Sequence, residues 1–181
     1  VFDNRNYNLF GLLADVRNGH GFAGITTGEG WPSIAPDRGW PEGFSSKGIA
    51  PLPAYPNEGP RYMGNHSFTW VALDELKAFP WDEVSTTLYG VVKADDYERL
   101  ASGEKPNEWC GGVSGPSIVV YDRPSYLEAK RMRQLAKDPY VRISWQESAR
   151  SAVSDWPGKI IPWLESLAEG RPLRLILGFD S

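Results

Sequence analysis

Histidine occurs twice in the chain, at His20 and His66, and imidazole is the side chain whose unperturbed pKa lies near neutrality. His66 stands in Asn65-His66-Ser67-Phe68-Thr69-Trp70, a polar segment ahead of a tryptophan that suits a strand edge facing a pocket. An isolated histidine is by default a hydrogen-bonded structural residue, and the functional alternative makes His66 the candidate general acid or base. His20 lies within Gly19-His20-Gly21-Phe22-Ala23-Gly24, which matches the G-x-G-x-x-G dinucleotide fingerprint letter for letter. That fingerprint works only between a strand and the helix that receives the pyrophosphate. Here it follows a helical stripe and runs into a loop, so a glycine-rich turn is the expected structure, and a backbone nest for an anion is its functional alternative.

Two histidines without spaced acidic neighbours are too few to argue for zinc, and Cys110 is the only cysteine. An internal disulfide and a cysteine-based metal site are thereby excluded, and no metal or other cofactor is expected. Ser67 lacks the G-x-S-x-G setting of a hydrolase nucleophile. Cys110, in Trp109-Cys110-Gly111-Gly112, has no histidine near it in sequence and reads as a small buried filler. Whether the chain is an enzyme stays open at this level. Arg17, Arg38 and Arg61 flank a loop carrying Trp31 and Trp40. Guanidinium forks plus aromatic faces are what a ligand with phosphate and base requires: Arg17 and Arg38 for phosphate, Trp31 or Trp40 for stacking. The alternative is that these arginines pair with surface carboxylates while the tryptophans pack the loop down.

The elements that must position these groups follow from periodicity. Leu9, Phe10, Leu12, Leu13 and Val16 fall on one helical stripe, predicting a helix from about Tyr7 to Arg17 with Gly19 as its stop. From Gly19 to about Tyr62 neither helical nor strand periodicity persists, and prolines, glycines and tryptophans recur, as expected of a long ordered loop at a site. Short segments follow: a strand over Ser67–Val71, a helix over Leu73–Phe79, a helix over Asp95–Ala101, and a buried strand over Ile118–Tyr121. Capping-box patterns at Ser125/Glu128 and Ser144/Glu147 predict helices to about Ala136 and Asp155. A third helix runs from Pro157 to Gly170 and is kinked or restarted at Pro162. Leu173–Phe179 reads as a central strand. The result is an α+β chain of 181 residues, one compact domain with a mixed sheet flanked by helices.

With 41% hydrophobic and 23% charged residues the composition is that of a globular protein, and 8 Trp among 15 Pro and 19 Gly point to long loops pinned by aromatics. The formal net charge of −4 and the scatter of the basic residues, apart from Lys130, Arg131 and Arg133, argue against a nucleic-acid partner. No apolar run approaches the roughly 18 residues of a membrane span, so no membrane partner is expected. A lone cysteine fits a reducing, cytosolic setting.

Asn6-Tyr7-Asn8-Leu9-Phe10, Asp15-Val16-Arg17-Asn18-Gly19, Ile34-Ala35-Pro36-Asp37-Arg38-Gly39-Trp40-Pro41, His66-Ser67-Phe68-Thr69-Trp70 and Leu175-Ile176-Leu177-Gly178-Phe179-Asp180 together resemble a family of uncharacterised proteins encoded by tailed phages and prophages. The resemblance covers most of the chain. Family members often carry a leading strand with an Asp-x-His element, which would precede Val1, and a second histidine where this chain has Phe68. These departures put an intact two-histidine or metal centre in doubt. The positions retained are Arg17, Asn18, Arg38, His66, Ser67 and Asp180, a polar set expected to converge on one pocket. With His20, Trp31 and Trp40 they make the expected ligand site, and the ligand expected is a small nucleotide-type molecule, a host defence signal met in the host cytoplasm. A non-enzymatic inhibitor of a host protein and a phage assembly component are the alternatives, and homo-oligomerisation is left open.

Overall fold

The computed structural model describes residues 6–39, 41–42, 66–100 and 105–179. Helix α1 (Tyr7–Ala14) buries Leu9, Leu12 and Leu13, and the Asn6 side chain caps it by accepting the Leu9 N–H at 3.1 Å. It ends three residues earlier than its apolar stripe implies. Asp15 adopts a left-handed conformation (φ 55°) and returns its N–H to the carbonyls of Gly11 and Phe10, the geometry that closes a helix.

Strand β1 (His66–Ala72) leads into α2 (Leu73–Ala78), then β2 (Ser85–Lys93), α3 (Ala94–Leu100), β3 (Ile118–Tyr121), α4 (Arg123–Arg131), β4 (Asp138–Ser148), α5 (Ala149–Val153), a π-helical turn at Trp156–Ile160, α6 (Ile161–Ala168) and β5 (Arg174–Phe179). The strands form two sheets. In one, β1 and β5 pair antiparallel, and in the other β4 lies between an antiparallel β2 and a parallel β3. This is the α+β architecture with a mixed sheet that the sequence implies.

Three expectations are corrected. Residues 144–155 are not one helix. Val141, Trp145 and Glu147 are buried while Arg142, Ser144 and Gln146 are exposed, the alternation of a strand with one covered face, so Ser144 and Glu147 lie within β4. The cap is instead Ser148, whose Oγ accepts the Ser151 N–H at 3.2 Å and opens α5. Likewise α4 is capped by Asp122, which accepts the Ser125 N–H at 2.9 Å; it ends at Arg131, well before Ala136. Finally, β5 is half of a two-stranded ribbon, not a central strand. Its apolar character comes from Leu175 and Leu177 packing against the main core.

That core joins α1, Trp31, Val71, Leu76, Trp81, Leu88, Trp145 and Trp156, with α6 contributing Leu164. A smaller cluster of Val92, Tyr97, Tyr126 and Val141 sits beneath α3 and α4. Pro162 falls in the first turn of α6, where its missing N–H costs no helical bond, and the helix restarts there after the π turn. The second edge of β2 is covered by two separate segments. Tyr89 donates its N–H to the Thr27 carbonyl (2.9 Å) and Thr87 accepts that of Glu29 (3.0 Å); farther along, Val91 and Cys110 exchange bonds of 2.9 and 3.2 Å.

Candidate functional site

Within the loop after α1, Asn18 ties the two ends of the turn together. Asn18 Nδ2 donates to the Trp31 carbonyl at 2.7 Å and to Asp15 Oδ1 at 2.8 Å, while its Oδ1 accepts the Trp31 N–H at 2.6 Å. Gly11 and Gly30 leave room for this strut. A Cβ at Gly11 would lie 2.6 Å from Asn18 Oδ1, and Gly30 takes φ 89° with Asn18 3.1 Å from where its Cβ would be. Trp31 is 5% exposed, and its indole Nε1 donates to Asn8 Oδ1 at 3.0 Å. The stacking role expected of Trp31 is therefore corrected: the ring is enclosed in the core and offers no open face to a base.

Arg38 is also held internally. Its guanidinium makes a two-pronged pair with Glu75 (Nη1–Oε2 2.7 Å, Nη2–Oε1 2.5 Å) and lies 4.2 Å above the centre of the Trp70 ring. Glu75 also accepts the Ala72 N–H at 2.9 Å, at the start of α2. The Arg38 fork, opposed in part by desolvation, draws the Glu75 carboxyl from 4.5 down to about 2. A fork filled by a carboxylate is not presented to phosphate, so the expectation for Arg38 is corrected in favour of the internal pair. Arg174 stacks on the same indole at 4.4 Å.

Arg17 is exposed, at φ 50°, with its guanidinium 5.3 Å from the Tyr7 ring centre. His20 is exposed and its Nδ1 lies 2.9 Å from the Asn18 carbonyl, an acceptor that requires the proton on Nδ1. Ser67 is exposed at a bulge in β1, with φ 53°. The His66 backbone pairs with Phe179, and its side chain lies outside the described residues, as do Trp40, Arg61 and Asp180. Asn18, His20 and Trp31 thus meet in one loop while Arg38 belongs to the α2 corner.

A cleft of about 380 Å³ opens elsewhere, on the outer face of the three-stranded sheet. It is lined by Thr26, Tyr89, Gly90, Val91, Gly111, Arg142, Ile143 and Ser144, and, among the described residues, by none of those expected from sequence. Its origin is topological. Between Tyr89 and Val91 the neighbour of β2 changes from the 27–29 segment to Cys110, and the two segments leave the sheet edge separately. Register places Tyr89 opposite Ser144 and Val91 opposite Arg142, so Tyr89, Ser144 and Arg142 share one face. Glycine is needed beside the cleft: a Cβ at Gly111 would come within 2.9 Å of Thr27 Cγ2, and one at Gly90 within 2.6 Å of Trp109.

Among the described residues the Arg142 guanidinium has no ion pair or hydrogen bond. Asp122 senses it: its carboxyl is held below its ordinary pKa first by the Ser125 hydroxyl and amide and, more weakly, by Arg142. Tyr89 donates its hydroxyl to Glu29 Oε1 at 3.1 Å; burial raises its pKa and Glu29 raises it further. The lining thus offers a cation, hydroxyls and bare backbone, which can bind and orient an anion. Among the described residues no three His, Cys, Asp or Glu side chains gather as a metal ion would need, and no helix is long and apolar enough to cross a membrane. The sequence signal for Arg142 and Ser144 was the period-two alternation of residues 141–147, hidden by the capping-box letters within it. The chain matches no protein-family model, no curated protein and no solved structure.

Proposed function

We propose that this chain is a phage-encoded protein that binds a small nucleotide-type ligand, a signal molecule of host defence, in the cleft on the outer face of β2 and β4. The observation that carries the reading is Arg142, a guanidinium on the wall of a cleft of about 380 Å³ that makes no hydrogen bond or ion pair among the described residues. That volume falls within the range of small-molecule sites, and a guanidinium is the side chain best shaped for phosphate. Ser144 and Thr26 add hydroxyls and Tyr89 an aromatic wall. The phage origin and the host cytoplasm rest on the sequence resemblance. Thermal-shift and calorimetric titration with AMP, ADP-ribose and cyclic dinucleotides, on the wild type and Arg142→Ala, test it. A saturable shift that Arg142→Ala abolishes supports the proposal, and no response to any compound overturns it.

A second reading, a non-enzymatic inhibitor of a host protein, is favoured by one feature. Phe22 and Ile25, 68% and 40% exposed, lie on the turn leading to Thr26 at the rim of the cleft, and exposed apolar side chains of this kind anchor protein interfaces. Phe22→Ala would then abolish host-protein capture while leaving nucleotide titrations unchanged.

A further inference from the structure

Tyr89 walls the cleft from β2, and its phenolic hydrogen is donated to Glu29. Glu29 is held for this contact by its own backbone, whose N–H pairs with the Thr87 carbonyl at 3.0 Å. A phenol has one hydrogen, and an ionised carboxylate only accepts. With that hydrogen engaged, the Tyr89 oxygen meets a ligand through its lone pairs. Arg142 has the opposite character, since a guanidinium only donates. The two side chains are diagonal neighbours on one sheet face, because Tyr89 faces Ser144 while Arg142 faces Val91; such neighbours stand roughly 7–8 Å apart.

We infer that the cleft is polarised and takes a ligand with an anionic group at one end and a hydrogen-bond-donating amine at the other. Arg142 receives the anion, and the Tyr89–Glu29 pair receives the amine. The inference rests on the binding function proposed above and names its ligand class: an amine-bearing nucleotide of the adenine kind, in preference to one with a carbonyl at the same position. The Glu29 carboxylate contributes twice, by fixing the phenol as an acceptor and by repelling a second anion from that end.

AMP and IMP are the probes: where AMP presents an exocyclic amine beside an unprotonated ring nitrogen, IMP presents a carbonyl beside a ring N–H. The expected result in calorimetric titration is that AMP binds the wild type about tenfold more tightly than IMP, the scale of one mismatched hydrogen bond. Tyr89→Phe keeps the ring and should bring the ratio close to one, while AMP binding continues to depend on Arg142. Glu29→Gln, which replaces an acceptor-only group with an amide, should also narrow it. Circular dichroism and melting curves matching the wild type establish that both variants fold. Equal affinity of the wild type for AMP and IMP, or a ratio that survives in Tyr89→Phe, overturns the polarity while leaving the cleft as a nucleotide site. Failure of AMP, IMP and inorganic phosphate alike to titrate against the wild type removes the binding function, and the polarity with it.

Discussion

Arg38 and Arg142 look alike in sequence, each a cation near aromatic residues, and the fold gives them opposite fates. Arg38 is enclosed by a two-pronged carboxylate and a tryptophan face. Arg142 stands on an open cleft with no internal partner among the described residues. The difference is local topology. Arg38 reaches Glu75 at the start of α2, where the chain needs an acceptor for the exposed Ala72 N–H. Arg142 projects from the middle of a central strand, where its neighbours across β2 are Tyr89 and Val91, neither a carboxylate, and the Asp122 charge is sensed without an ion pair. A fork that has completed its hydrogen bonds supports structure, and one that has not is available to a ligand.

The comparison breaks most severely if the residues assigned to structure prove dispensable. Trp31→Ala should destabilise the protein by about 3–5 kcal/mol, the usual cost of removing a buried aromatic ring, because it empties the core between α1 and the loop. Urea denaturation measures this, and a loss below about 1 kcal/mol would mean that the indole is not enclosed as described. Asn18→Ala should cost about 2–3 kcal/mol by leaving both the N–H and the carbonyl of Trp31 without their partner. A smaller but visible loss is expected for Gly11→Ala, whose Cβ would meet Asn18 Oδ1.

The Arg38–Glu75 pair carries a pH signature. Glu75 has a folded pKa of about 2 against an ordinary value of 4.5. A depressed carboxyl pKa stabilises the fold above the unfolded value and loses that contribution as pH falls through the folded one. Because the Glu75 side chain is 31% exposed, solvent screening reduces the contribution to about 1–2 kcal/mol. Arg38→Ala should therefore be less stable than the wild type by that amount at pH 7. The difference should shrink as pH falls from about 5 towards 2, as followed by urea midpoints at several pH values. A gap independent of pH over that interval would assign the role of Arg38 to its stacking on Trp70 alone.

Much of the α+β pattern was legible in the residues. The apolar stripe of α1, the β-branched run of β3 and the proline restart before α6 each carry a local rule strong enough to read directly. What failed shared one cause, since letters that satisfy a local motif were governed by packing at a distance. Ser144 and Glu147 spell a helix cap, but Trp145 and Glu147 are turned inward by the core beneath β4, where Glu147 binds the Trp145 indole N–H at 2.9 Å and the Lys105 ammonium at 2.6 Å. The candidate site failed likewise. Tryptophans in a proline-rich loop suggest stacking platforms, yet Trp31 is the residue that fastens that loop to α1. The cleft needs Tyr89, Gly111 and Arg142 to meet from three distant stretches of chain, and no spacing in a single sequence encodes that meeting.

The smallest expected effect on stability is the sharpest test of the contrast. Arg142→Ala removes a side chain that makes no hydrogen bond or ion pair among the described residues, so its cost should stay within about 0.5 kcal/mol, the range of ordinary surface substitutions. The same change should weaken AMP binding at least tenfold, because it deletes the only cation among the described residues of the cleft lining and a charge-assisted contact contributes about 1.5–3 kcal/mol. Arg142→Lys keeps the charge but loses the planar fork, so it should recover part of the affinity and none of the two-pronged geometry. Paired melting curves and titrations read both quantities. A stable variant with unchanged AMP affinity would place Arg142 among unremarkable surface residues, whereas a destabilised one would mean that Arg142, like Arg38, serves the fold.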